Sequence, residues 1–245
     1  MYETASSQER PTAAADAAAS AAAGRMATVH YLTPLILARP TGLPFHIPVA
    51  GSRLKRAVDI LLSSFALLMF LPLLLVIAVG VRMSGKGPIL FRQRRTGLGG
   101  QVFTIFKFRT MTVTEDHDDI KHATKDDARV TPFGLILRQT SLDELPQLLN
   151  IVRGDMSIVG PRPHALAHDE HYGRLIPSYD ARFRARPGLT GLAQVSGFRG
   201  EIENLTGMIN RVDADNAYID LWSPTKDIMI VLRTVPLLFK DPNAY

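Results

Sequence analysis

The chain has 245 residues, a formal net charge of +5 and no cysteine. Without cysteine it forms no disulfide and no thiolate metal site, which fits a reducing compartment. Its length suits one domain with appendages, and its positive charge points to anionic partners: phospholipid headgroups, phosphorylated substrates or nucleic acid.

The N-terminal stretch TAAADAAASAAAG is low in complexity and has no basic region leading into an apolar run, so it does not read as a signal peptide. Pro34, Pro40, Pro44 and Pro48 then oppose a helix. Residues 1–50 are expected to be a disordered tail and linker.

From Ile60 to Val81 there are 22 residues without a charge, enough for a helix to cross a bilayer at about 1.5 Å per residue. Pro72 near the middle predicts a sharp kink, because it lacks an N–H and clashes with the preceding turn. Both flanks are basic, with Arg53, Lys55 and Arg56 before the segment and Arg82, Lys86, Arg92, Arg94 and Arg95 after it. Since Lys and Arg favour the cytoplasmic side, a helix that enters, breaks at Pro72 and leaves by the same face satisfies both features. A single kinked span is the alternative.

The stretch PILFRQRRTGLGGQVFTIFKFRTM predicts a β-hairpin around TGLGG, with Lys107 and Arg109 on one face of the second strand and Phe106 and Phe108 on the other. Such a strand buries its aromatic side and offers two cations to an anion; a basic hairpin resting on acidic lipid is the alternative. Residues 114–129 read as an exposed loop or short helix, where His117, Asp118 and His122 fit a solvated surface better than a metal site.

Next comes FGLILRQTSLDELPQLLNIVRGDMSIVGPRP. Ser141 and Glu144 match a capping box, which places Asp143 and Glu144 in a first helical turn where Asp143 stays ionised and able to attack as a nucleophile. Pro146 sits deep for that register, and a helix starting at Pro146 is the alternative. Capping alone would explain the two acids, but Arg138, Arg153 and Arg162 surround them in sequence. Acids among that many cations suggest phosphoryl chemistry with Mg²⁺ held by a carboxylate and substrate phosphates.

His164, His168 and His171 would share one helix face, read as polar surface rather than a zinc site. The Gly-rich stretch from 186 to 201 predicts a loop whose backbone approaches something closely, with Arg199 and Glu201 at its end as candidate ligand contacts. Ser223 and Pro224 start a C-terminal helix with a wide apolar face, suited to the membrane surface or to the domain's own sheet.

Several of these segments, in this order, resemble the bacterial sugar transferases, also called monotopic phosphoglycosyl transferases. The matching motifs are KRAVDI, FRQRRTGLGG, FKFRTM, LRQTSLDELPQLLNIVRGDMSIVGPRP, RPGLTGLAQVSG with RGE, and RVDADNAYIDLWS, spanning residue 53 to Tyr245. The resemblance implies transfer of a sugar phosphate from a UDP-sugar to undecaprenyl phosphate on the cytoplasmic face of the bacterial inner membrane. UMP is released and a surface polysaccharide repeat unit is begun. It also implies a re-entrant helix near Pro72, Asp143 as the nucleophile that forms a covalent phosphosugar intermediate, and Glu144 assisting it. Mg²⁺ would be held at Asp143 and Glu144, and Lys107, Arg138, Arg162 and Arg199 would line the phosphate site. The RGE ending is similar to relatives that begin exopolysaccharides with glucose or galactose. Leu71 stands where part of the family has a serine before the proline.

The expected fold is therefore an α/β (α+β) monotopic membrane protein. Residues 51–85 form the re-entrant helix, and residues 86–245 form a compact helical catalytic domain with a β-hairpin and surface amphipathic helices. A membrane-tethered nucleic-acid binder is disfavoured by the lack of any helix-turn-helix, RNP or zinc-finger pattern. A catalytically silent scaffold of a polysaccharide assembly complex is the competing function, and a homo-oligomer stays open.

Overall fold

In order along the chain, the elements are helices α1 (Arg53–Met69) and α2 (Leu71–Met83), strands β1 (Leu90–Thr96) and β2 (Val102–Phe108), and helices α3 (Pro132–Gln139) and α4 (Gln147–Arg153). Strand β3 (Ser157–Val159), helix α5 (Leu166–Leu175), strand β4 (Gly188–Thr190) and helices α6 (Leu192–Val195), α7 (Leu205–Asp220) and α8 (Pro224–Leu237) follow. The computed structural model describes residues 49–112, 127–198, 200 and 204–237. The expectations for the N-terminal tail, for His117, Asp118 and His122, and for Arg199 and Glu201 concern residues outside the described ones.

Ser52 starts α1 by accepting the Lys55 N–H on its hydroxyl at 3.2 Å. The helix is inverted relative to a soluble one. Leu54, Leu61, Leu62, Phe65, Leu68 and Met69 are exposed, while Asp59 and Ser63 are buried. Asp59 accepts from the Ser157 hydroxyl at 2.7 Å and the Ile158 N–H at 3.1 Å, so the polar face of α1 docks on β3. Helix α2 continues the exposed apolar surface with Leu71, Leu75, Val76 and Val79.

Between the two helices the axis turns by 64°, and neither is by itself long and apolar enough to cross a membrane. The break falls at Phe70, and Pro72 occupies the first turn of α2. Pro72 has no N–H for the Leu68 carbonyl four residues earlier, and its ring crowds that carbonyl, so the chain must break before it. Gly80 lets α3 approach α2, since a Cβ there would lie 2.6 Å from the Phe133 ring.

The hairpin forms as expected, antiparallel from Leu90↔Phe108 to Thr96↔Val102. Phe108 packs with Ile77, Val81 and Leu137, while Ile105 packs with Leu148, Ile151 and Met156. A third cluster, of Ile176, Tyr179, Met208 and Val212, joins α7 to the turn at Tyr179–Arg184.

The Gly-rich stretch departs from the predicted loop. Residues 188–190 form β4, parallel to β3 with Ser157↔Gly188 and Val159↔Thr190, and α6 follows. The close approach is real, but its target is another strand: a Cβ on Gly188 would meet the Gly160 nitrogen at 2.1 Å. With two separate two-stranded sheets among many helices, the fold is α+β. Ser223 caps α8 through the Lys226 N–H at 3.3 Å, as expected.

Candidate active site

The two acids sit between α3 and α4, and the predicted capping box does not form. Ser141 adopts a left-handed backbone, φ 55° and ψ 17°, and makes no side-chain cap. Leu142–Glu144 is a single 3₁₀ turn, and α4 begins at Gln147 with Pro146 at its N-cap position. Glu144 does not reach back to the helix start because two cations hold it elsewhere. Its Oε1 accepts from Lys107 Nζ at 2.7 Å and from Arg162 Nη2 at 2.9 Å.

Strand β2 therefore supplies one cation and the loop after β3 the other. Asn150 sets the spacing. Fully buried on α4, it accepts the Phe106 N–H at 3.0 Å and donates to the Thr104 carbonyl at 2.7 Å, tying the helix after the acids to the strand that carries Lys107. Arg182 fixes the other side, donating from Nη2 to the Arg162 carbonyl at 2.6 Å and from Nε to Asp215 at 2.9 Å. His164 joins this network through Nδ1, 2.7 Å from the Tyr179 hydroxyl.

The two carboxyls are driven apart. Burial alone would raise Glu144, but the charges and hydrogen bonds of Arg162 and Lys107 outweigh it and hold this group well below the usual carboxylate range. Asp143 moves the other way, pushed up to about 6 by burial with the adjacent Glu144 charge adding to it, against the pull of Lys107, Arg138 and Arg162. The expectation of a helix-stabilised aspartate is corrected here: no helical first turn surrounds it, and desolvation raises its affinity for a proton. At neutral pH it is still mostly ionised. No hydrogen bond or ion pair engages its oxygens among the described residues. A poorly solvated, unpartnered carboxylate beside cations is suited to attack a phosphorus whose oxygens those cations bind.

Arg109 is corrected outright. It is 5% exposed, and its guanidinium donates to the carbonyls of Val81 at 2.8 Å, Gly85 at 2.7 Å and Lys86. It caps the C-terminal end of α2 instead of facing an anion with Lys107, because the strand has ended at Phe108 and the alternation no longer applies. Arg153 lies 4.9 Å over the Phe106 ring.

Among the described residues no three His, Asp or Glu side chains gather to hold a metal ion. Mg²⁺ shared between one or two carboxylates and a substrate's phosphates would not need such a cluster. Asp143 has oxygens to give, whereas those of Glu144 are taken by Lys107 and Arg162. The histidines do not form a shared face: His164 precedes α5 and is buried, with His168 and His171 on the helix.

Asn150, Arg182, Asp215 and Tyr179 were not legible as site residues, because each acts through contacts distant in sequence. The RVDADN motif that contains Asp215 was the available signal.

A family model described as bacterial sugar transferase matches residues 50–241. A UDP-glucose:undecaprenyl-phosphate glucose-1-phosphate transferase of Caulobacter vibrioides is 52% identical over 214 residues, which cover 87% of this chain and 79% of that protein. A protein of the same name from Klebsiella pneumoniae is 47% identical over 203 residues, 82% of this chain but 44% of its own length. Exopolysaccharide production protein ExoY of Rhizobium meliloti is 40% identical over 229 residues, 84% of this chain and 98% of that protein. With the half-buried acidic pair and its cations in place, the match over most of the chain decides the matter: this protein belongs to the bacterial sugar transferase family.

Proposed function

We propose that the protein transfers a hexose-1-phosphate from a UDP-hexose, UDP-glucose before UDP-galactose, to undecaprenyl phosphate, and so begins an exopolysaccharide repeat unit. The observation that carries this reading is the division of labour between the two acids, one locked between Lys107 and Arg162 and the other half-buried with no hydrogen bond to its carboxyl among the described residues. The names of the relatives supply the donor and the acceptor.

An ionised Asp143 oxygen attacks the sugar-bearing phosphorus. The bond from that phosphorus to the bridging oxygen breaks, and the oxygen leaves with UMP. A phosphate oxygen of the lipid then attacks the same phosphorus, releasing the Asp143 carboxylate and completing undecaprenyl diphosphate-hexose. Lys107, Arg138 and Arg162 bind the phosphate oxygens and offset their charge, and Glu144 holds Lys107 and Arg162 in position. Asp143 and the substrate's diphosphate would hold Mg²⁺, which offsets phosphate charge when bound.

The bent α1–α2 pair serves as a re-entrant membrane segment, with the active site on the cytoplasmic face of the inner membrane. The 64° bend, the basic residues at both ends and the exposed apolar surface support this. The chain has no cysteine, so single cysteines at Arg53 and Lys86 report topology directly. A re-entrant segment makes both reactive from the cytoplasmic side, whereas a span separates them.

Intact mass of the detergent-purified protein, incubated with Mg²⁺ and UDP-hexoses without lipid, tests the chemistry. A gain of one hexose phosphate, absent in Asp143→Asn, is expected. Failure to release UMP even with undecaprenyl phosphate present would move the protein to the scaffold reading.

A further inference from the structure

Two arginines, Arg95 and Arg211, have no carboxylate partner among the described residues. Arg211 on α7 is 6% exposed; its Nη2 donates to the Gly200 carbonyl at 3.0 Å, and its Nε meets no acceptor. Arg95 on β1 donates from Nη1 to the Pro163 carbonyl at 3.2 Å and from Nη2 to Gln93, and its Nε is equally without an acceptor. His164, 5% exposed, leaves Nε2 unpartnered.

Arg95 and His164 meet at the loop that carries Arg162, and Arg211 is tied to it through Asp215 and Arg182. Pro163 and His164 follow Arg162 directly. Arg182 holds the Arg162 carbonyl and also Asp215, which lies one turn along α7 from Arg211. Burial lowers Arg95 and Arg211 to about 10, and in each the next largest cause is the charge of Arg162. Buried cations that crowd one another, with N–H groups to spare, favour an anion in their midst.

We infer that Arg211 and Arg95, with His164 beside them, form a phosphate-binding subsite behind Arg162 that holds the nucleoside-bearing phosphate of the donor and of the UMP product. This rests on the reading of the donor as a UDP-hexose. Position selects this phosphate over that of the lipid. Lys107 and Arg138 belong to the side of the acids that packs, through Phe108 and Leu137, against the half helix α2. Arg211 instead belongs to α7, whose cluster with the Tyr179–Arg184 turn includes no residue of α1 or α2. A lipid phosphate stays by the membrane helices, and a water-soluble nucleotide takes the other side. Attack at the sugar-bearing phosphorus also builds negative charge on the departing nucleoside phosphate, where planar guanidinium donors stabilise it.

Calorimetric binding of UMP and of uridine to the full chain in detergent tests the subsite. Arg211→Gln is expected to weaken UMP by about tenfold or more while leaving uridine unchanged. Arg95→Gln shifts UMP in the same direction, and Arg211→Lys falls between. Should Arg211→Gln fail to fold, Arg95→Gln and Arg211→Lys carry the test. Equal UMP affinity in the wild type and the variants, or a change confined to the KM for undecaprenyl phosphate, overturns the subsite and leaves the donor reading standing. If the wild type binds no UMP and forms no hexose-phosphate adduct, the donor reading falls and takes the subsite with it.

Discussion

Arg56, in the first turn of α1, donates to the carbonyls of Ile151 at 2.6 Å and Val152 at 2.9 Å, at the far end of the helix that follows the acidic pair. The Ile151 carbonyl otherwise accepts the capping Gly154 N–H at 3.1 Å, and the negative end of the helix dipole favours a cation there. Replacing Arg56 by Ala is expected to lower stability by about 1–3 kcal/mol, read as a fall in thermal midpoint in detergent. Arg56→Lys, which keeps the charge and loses the fork, recovers part of it.

The acidic pair separates by role. Asp143→Asn removes the proposed nucleophile and is expected to abolish the covalent hexose-phosphate adduct. Glu144→Gln leaves Lys107 and Arg162 without their shared partner, and adduct formation should slow by about 10²-fold or more without vanishing. Quench-flow mass measurement of the adduct distinguishes the two.

The raised Asp143 carboxyl gives two pH dependences of opposite sense. Attack needs the ionised form, so adduct formation falls as pH drops through about 6. Stability runs the other way. The folded carboxyl binds its proton more tightly than the unfolded one, so between the ordinary aspartate range and about 6 the native state holds more protons and loses stability as pH rises. Asp143→Asn should therefore be more stable than the wild type at pH 8, by about 1–2 kcal/mol, with the difference shrinking toward pH 4. Thermal midpoints at the two pH values check it.

Ser141 is the non-glycine residue with a left-handed backbone among the described residues, two positions before Asp143. Ser141→Gly fits that conformation without strain and should keep activity. Ser141→Val places a β-branched side chain there, costing about 1–3 kcal/mol, and should lower kcat more than it raises KM, because it shifts the Asp143 turn rather than the donor's contacts.

Local signals were the legible ones. The hairpin, the start of α8 at Pro224 and the break near Pro72 each depend on residues adjacent in the chain, and the structure has all three. Glu144 stood out in the sequence as a candidate, but not its clasp between Lys107 and Arg162, 37 and 18 residues away. Arg109 misled because strand alternation was carried one residue beyond the strand, into a position where three carbonyls compete for its guanidinium. Pairing of β3 with β4 was hidden because three-residue strands joined across a long excursion leave no period to read.

The inverted face of α1 bears on how far the chain can be shortened. Asp59 reaches β3, Arg56 reaches α4, and Lys55 meets Asp227 at 2.7 Å, an acid that also accepts from Tyr218 and Trp222. A fragment beginning at residue 86 would lose a carboxylate, a guanidinium and an ammonium at once, taking one partner each from Ser157, the end of α4 and Asp227. The bent helix pair is thus a wall of the enzyme, and the residues after it lose part of their interior contacts without it.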